Sequence, residues 1–456
     1  IAIGNSAMYG GTVTGDNNIA IGVSAGDALT SAYQNVLIGR NAGGSIDTGD
    51  FNTAVGDNAL KSATNSQYNV VIGLNAGDST TTGDRLTLIG TAAGRGVIDN
   101  SGQGTVAIGY AAYNAGTSGQ GNIAIGYEAL STNTIGIFNT AIGYQALKTN
   151  VDGSTNTAVG YLALTTFEAD AQDHGENTAV GSKAGTAVTT GTGNTLIGKD
   201  SGLAINTGDN NTIVGRLAGD AITSGASNIV IGDSALGAAT TATENVAIGG
   251  DAMSLVQAGQ AITGVVAIGY RALKGGSTTT GANGTIAIGK DTLKALTSGG
   301  GNIAVGFEAG LLVTDNTDNV MIGHQAFNAS DSGDSENVVI GSNAGGAINH
   351  GSSDGNVLIG LSAGLGGAAA LADCVVIGKN AMKSTAGNAQ SGTVAIGKEA
   401  LTALTSGDRN MAIGYQALKS ITEAADNLAI GYGALTTSTN VSAARNIAIG
   451  NYALEL

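Results

Sequence analysis

The chain has 456 residues, of which 76 are glycine, one is cysteine and none is proline or tryptophan. Charged residues make up 11%, less than half the usual share of about 25%. This excludes collagen, which needs proline and a glycine at every third place, a highly charged disordered chain, and a disulfide scaffold.

So much glycine, threonine and asparagine disfavours helices. The formal charge of −16 repels phosphate, so we expect no nucleic-acid partner and no anionic-lipid partner. No apolar run approaches the ~20 residues that span a bilayer, so we expect no membrane insertion within this segment. The chain opens at Ile1 inside a motif that recurs, and closes at Leu456 inside another copy; it reads as an excerpt of a longer protein.

The first four full copies of the motif are Ile19-Ala20-Ile21-Gly22, Val36-Leu37-Ile38-Gly39, Thr53-Ala54-Val55-Gly56 and Val70-Val71-Ile72-Gly73. Its glycine recurs at 26 positions, from Gly4 to Gly450, and 15 of the 25 spacings are 17 residues. Repetition without a break in composition indicates one continuous β-solenoid domain over 1–456. Counted from the repeat glycine, the residue one before is Ile or Val in every copy, and the residue three before is mostly Ile, Val or Thr. Asn stands four before in 19 of 25 copies, and Ala three after in 24 of 26.

Short β-branched runs bounded by Gly and Asn predict strands. The glycine turns the chain, a second short extended piece follows, and the remaining polar residues form an outer loop that absorbs differences in spacing. The recurring Asn has two readings, a turn residue or a ladder of side-chain amides along the axis. Cys374 replaces it in one coil and is expected to be a buried spacer.

Alternation along the strand puts the residues one and three before the glycine on one face, read here as the inside of the coil. The residue two before then faces out, and it too is always apolar: Ala in 16 copies, larger in ten. A strand apolar on both faces is buried on both, so more than one chain is expected. Where this residue is large, the residue four after the glycine is Gly in seven of ten copies; where it is Ala, that residue is bulky in 13 of 16. The two positions therefore share one packing volume.

Along the chain, Tyr110, Tyr127, Tyr144 and Tyr161 follow the glycine in four consecutive coils, and Tyr415 and Tyr432 form a shorter run. Such a ladder either stiffens the coil stack or forms a contact strip for a glycan or receptor; these four tyrosines are the candidate binding residues. Glu168, Asp170, Asp173 and Glu176 cluster in the longest insertion and read as a solvated loop, with cation or partner binding as the alternative. Asp16, Asp50, Asp84, Asp209 and Asp408 lie six before the glycine and read as Gly-Asp turns.

Gly22-Val23-Ser24-Ala25-Gly26 and Gly360-Leu361-Ser362-Ala363-Gly364 match the nucleophile pattern of hydrolases, but each is a by-product of the repeat. His174, His324 and His350 share no register and no metal-ligand spacing, and are expected to be exposed. We expect no enzyme activity, no cofactor and no metal.

The motif in full form, Asn122-Ile123-Ala124-Ile125-Gly126-Tyr127-Glu128-Ala129-Leu130 and Asn139-Thr140-Ala141-Ile142-Gly143-Tyr144-Gln145-Ala146-Leu147, resembles the head repeat of trimeric autotransporter adhesins. It is also similar to repeats of bacteriophage tail fibres. The resemblance covers essentially the whole chain, although these coils are longer than those of adhesin heads. It implies an all-β fold: a left-handed parallel β-roll of about 26 coils, wound as a homotrimer. It also implies an extracellular site, on a cell surface or virion fibre, and attachment to a host-surface receptor, glycan or matrix protein. The general rule for parallel crossovers favours the right hand, so the handedness rests on the resemblance. A different class, a monomeric binding solenoid such as an ice-binding protein, needs an exposed row of threonines. Thr140, Thr157, Thr178, Thr195 and Thr212 stand three before the glycine, on the face read here as internal.

Overall fold

The computed structural model describes residues 1–455, apart from 97, 170–173, 277, 331, 368, 385–387 and 437–443. The chain forms two compact units, Ile1–Ser227 and Asn228–Leu456. Among the described residues each unit carries thirteen strands of two or three residues in one parallel sheet, the second unit adds a separate two-stranded pair, and helix is confined to two short 3-10 turns. Each strand pairs with its counterpart one coil on, in register: Ala107 opposite Ala124, Ala124 opposite Ala141. The register survives the longest insertion, since Thr157 still faces Thr178. Extra residues bulge between strands, as the repeat pattern predicts. This is a parallel β-solenoid with a 17-residue period.

Each strand begins after the Asn and ends at the repeat glycine. That glycine takes a φ between 126° and 142°, where a side chain is strained. A β-carbon on Gly126 would also lie 2.4 Å from the carbonyl oxygen of Gly143, so neighbouring coils leave no room for one.

Among the described residues a second short strand follows in two coils only, where Leu371–Ala372 pairs in parallel with Gln390–Ser391. The residues two and four after the glycine are also left-handed in every coil, as at Glu128 and Leu130. This alternation curls the backbone into a turn without interrupting its bonds to neighbouring coils. The Glu128 N–H donates back to Tyr110 O (2.9 Å), and the Leu130 N–H donates onward to Ala146 O (3.0 Å). Our expectation of a second strand overlooked that left-handed positions can hold leucine when stacking fixes them.

The assignment of faces is reversed from the one expected. The residue two before the glycine points inward and is fully buried, whether Ala20, Leu37, Leu88 or Ala124. The β-branched residues one and three before it point outward. The inside is lined by this column together with the Ala column three after the glycine; where the inner residue is large, as at Leu37, Ile213 or Leu358, a glycine four after the repeat glycine makes the room. Thr140, Thr157, Thr178, Thr195 and Thr212 accordingly lie on the outward face, not inside.

The shared packing volume is real and lies within one chain. Leu37 fills the space beside Gly43 of its own coil and Gly26 of the coil before; an added β-carbon would stand 2.7 and 2.8 Å from its methyls. Gly185 and Gly310 sit in coils whose inner residue is already Ala, and they too make room for the following coil, for Leu196 and Met321.

The Asn column is a ladder. The Asn35 Nδ2 donates to Asn18 Oδ1 (3.1 Å) and to Gly49 O (2.9 Å), while the Asn35 backbone N–H donates to the same Asn18 Oδ1 (3.0 Å). These Asn have negative φ, so the left-handed tolerance of Asn is not what selects them. Leu86 and Cys374 replace an Asn, yet their N–H groups still donate to the preceding Oδ1, at 2.8 and 3.0 Å. Cys374 is buried as expected, and burial pushes its thiol up to about 11.

Candidate functional site

The four predicted tyrosines are brought together. Tyr110, Tyr127, Tyr144 and Tyr161 stack at centroid distances of 5.1, 5.2 and 5.4 Å, with planes 9° to 20° apart. Each tyrosine stands two residues beyond an outward strand residue, as Tyr127 does beyond Ile125. All four remain 43% to 52% exposed. Stacking turns the ring faces of Tyr127 and Tyr144 toward their neighbours, leaving ring edges to solvent. Glu128, beside Tyr127, pushes its phenol above the usual range. Glu128 itself is held below the usual carboxylate range by Lys148 (2.7 Å) and by the Gln145 amide (2.9 Å).

Two further aromatic columns occupy the same position. Tyr415 stacks on Tyr432 at 4.9 Å, with the Lys398 ammonium 5.4 Å from the Tyr415 ring. Phe307 stacks on His324 at 5.2 Å, with Lys290 5.5 Å above Phe307. Single-residue reading missed the second of these, because the repeat glycine is followed there by Lys, Phe and His in turn. Its signal was positional. A third group, Tyr33, Phe51 and Tyr68, lies before the strand and packs at 5.2 and 4.9 Å.

Beside the tyrosines runs the outward strand face. Ile38, Ile72, Ile142, Val180, Ile197, Ile231 and Ile322 are each more than a third exposed, and the pattern repeats in both units. Five consecutive coils of the first unit put threonine on this face, from Thr140 to Thr212, in register.

The remaining candidates separate cleanly. The Asp six before the glycine does more than make a turn: its carboxylate accepts the N–H at the same position one coil earlier, Asp84 from Gln67 (2.7 Å) and Asp209 from Thr192 (2.7 Å). Glu168 and Glu176 lie in the long insertion, whereas Asp170 and Asp173 fall outside the described residues. Burial, with Asp152 nearby, pushes the Glu168 carboxyl up. His174, His324 and His350 are exposed. Ser24 and Ser362 sit in left-handed turns with no helix after them. Among the described residues no three His, Cys, Asp or Glu side chains gather as metal ligands, and no helix is long and apolar enough to cross a membrane.

The geometry defines the class of protein: a parallel β-solenoid repeat protein. No family model matches the chain, and no curated protein matches it.

Proposed function

We propose that this chain is a non-enzymatic fibre segment, a homotrimer that works outside the cell by rigid extension and by presenting one surface many times over. The observation that carries this reading is the outward row of Ile and Val, exposed at coil after coil in both units. Soluble monomers rarely leave a contiguous apolar patch larger than a few hundred Å² open to water. A cover must match a β-branched pair at every coil, and an identical chain in the same register does so. The threefold count, the left hand, and the likeness to adhesin heads and phage tail fibres come from the motif resemblance. Attachment to a host-surface receptor, glycan or matrix protein follows from the same source, with Tyr110, Tyr127, Tyr144 and Tyr161 as the candidate strip. Repetition converts weak contacts into avidity.

Light scattering on the purified chain tests the assembly. A mass three times 44.3 kDa supports it, and a stable monomer overturns it. The contact strip is tested by changing all four tyrosines to Ser; unchanged cell binding by a folded chain would remove it.

One observation favours the second reading, a monomeric ice-binding solenoid. The threonines from Thr140 to Thr212 face outward as a regular row. Thermal hysteresis from a monomer would select that reading over the fibre.

A further inference from the structure

Charge is not spread evenly around the coil. Of the 18 Lys and Arg residues, 15 stand within five residues after a repeat glycine, where only 12 of the 34 acidic residues fall. The outer-loop positions carry the other 22 acids and only Arg85, Arg409 and Arg445. One arc of the coil therefore holds the whole net negative charge, and the other is weakly positive. The net charge of −16 misrepresents the arc on which the aromatic columns stand.

In the second unit this arc assembles two similar columns. One runs Tyr270, Lys290, Phe307, His324, with Lys274 and Lys294 alongside. The other runs Lys379, Lys398, Tyr415, Tyr432, with Lys383 and Lys419 alongside. Each sets an ammonium group against stacked rings, Lys290 over Phe307 and Lys398 over Tyr415. Lys290 and Lys398 keep about half their side-chain surface in solvent. Acids lie close by: Asp251 stands 3.0 Å from Lys274, Asp291 stands 3.9 Å from Lys290 and 3.3 Å from Lys294, Glu308 follows Phe307, and Glu399 stands 3.9 Å from Lys398 and 3.0 Å from Lys419. With Arg271, four bases stand against these three acids in the first column, and four lysines against Glu399 in the second.

We propose that the two columns bind an extended acidic saccharide laid along the coil axis. The lysines would meet its carboxylate or sulfate groups, and the aromatic edges would meet its C–H surfaces. Coils repeat every ~4.8 Å, close to the rise of one sugar unit in an extended polysaccharide, so successive coils meet successive sugars. The outer loops would repel the same ligand, which confines it to this arc. The proposal rests on the attachment reading above and supplies its ligand class.

The test is calorimetric titration of the whole chain with size-defined heparin fragments, with neutral dextran fragments as comparator. Two triple variants change the charge equally. One is Lys290→Ala, Lys379→Ala and Lys398→Ala on the columns; the other is Arg85→Ala, Arg409→Ala and Arg445→Ala on the loops. All six residues are surface groups, and unchanged circular dichroism and melting confirm that both variants fold. The column variant should weaken heparin-fragment binding about tenfold or more, and the loop variant less than about twofold. Equal losses in the two variants, no heparin binding by the unaltered chain, or equal binding of dextran would each overturn the proposal. The two readings fail differently. Cell adhesion that heparin fragments neither bind nor compete sinks this proposal alone. Heparin binding through the columns by a chain that adheres to no cell sinks the attachment reading alone.

Discussion

Gly26 and Leu37 occupy one space: a β-carbon on Gly26 would stand 2.8 Å from Leu37 Cδ1, although the two residues belong to different coils. Gly26 has φ of 54°, so alanine there adds backbone strain of roughly 1–2 kcal/mol to the clash. Leu37→Ala leaves a cavity and should cost about 2–5 kcal/mol. Because the added methyl occupies part of that cavity, the double variant should cost less than the sum, with a coupling of about 0.5–3 kcal/mol. Urea denaturation of the four proteins measures it, and strict additivity would separate the two residues.

The repeat glycine is constrained twice, by φ and by its neighbour. Gly126→Ala must move either its own coil or that of Gly143, and should cost more than about 4 kcal/mol. Gly104 is left-handed as well, with φ of 74°, but nothing lies within 4 Å of its added β-carbon. Gly104→Ala should therefore cost only the strain, about 1–2 kcal/mol. Similar melting temperatures for the two variants would refute the distinction.

Asn139 belongs to an unbroken part of the ladder. Its Oδ1 accepts the Asn156 N–H and Nδ2 at 3.0 and 3.1 Å, and its Nδ2 donates to Gly153 O at 2.8 Å. Asn139→Ala strands the buried Asn156 N–H of the following coil, at about 1–3 kcal/mol, whereas Gly153 O keeps Asn150 and the Asn156 amide keeps Ser154 O. Hydrogen exchange should quicken at Asn156 and its neighbours before it does at distant coils. Uniform quickening along the unit would argue against a local ladder.

The pH profile has two opposing limbs. Burial pushes the carboxyls of Asp334, Glu168 and Asp220 up, so the folded state holds their protons more tightly than the unfolded chain does. Their ionisation costs stability as pH rises, and acidification from neutrality recovers it. Glu128, Glu399 and Asp426 are held low by Lys148 with Gln145, by Gln416 with Lys419, and by Arg409. Their contribution is complete above the ordinary carboxylate range and is lost below it. Relief of self-repulsion adds to the first limb. The melting temperature should therefore rise from pH 7 to about pH 4–5 and fall below about pH 4. Asp334→Asn should flatten the rise, and an unchanged slope would exclude Asp334 from it.

Cys374 offers a probe of opening. A thiol at about 11 that is also buried should react with maleimide at pH 8 far more slowly in the folded chain than in urea. Comparable rates would mean that this coil opens readily.

The period, the strand positions, the burial of Cys374, the exposure of the histidines and the stacking of the tyrosines were all legible in the residues. Each follows from chemistry that repeats at a constant interval: β-branched residues extend, glycine turns, and identical side chains in register must meet. The −2/+4 exchange, as between Ala124 and Leu130, was legible as well, because close packing couples sizes. Which side of the strand faces inward was not. Ala124 and Ile125 are both apolar, and alternation separates two faces without naming either one. Only the closed coil decides, since the direction in which its backbone curls encloses the face of Ala124 and leaves that of Ile125 outside. Nor could the local pattern foretell leucine in left-handed turns, because there the backbone is held by the coils above and below.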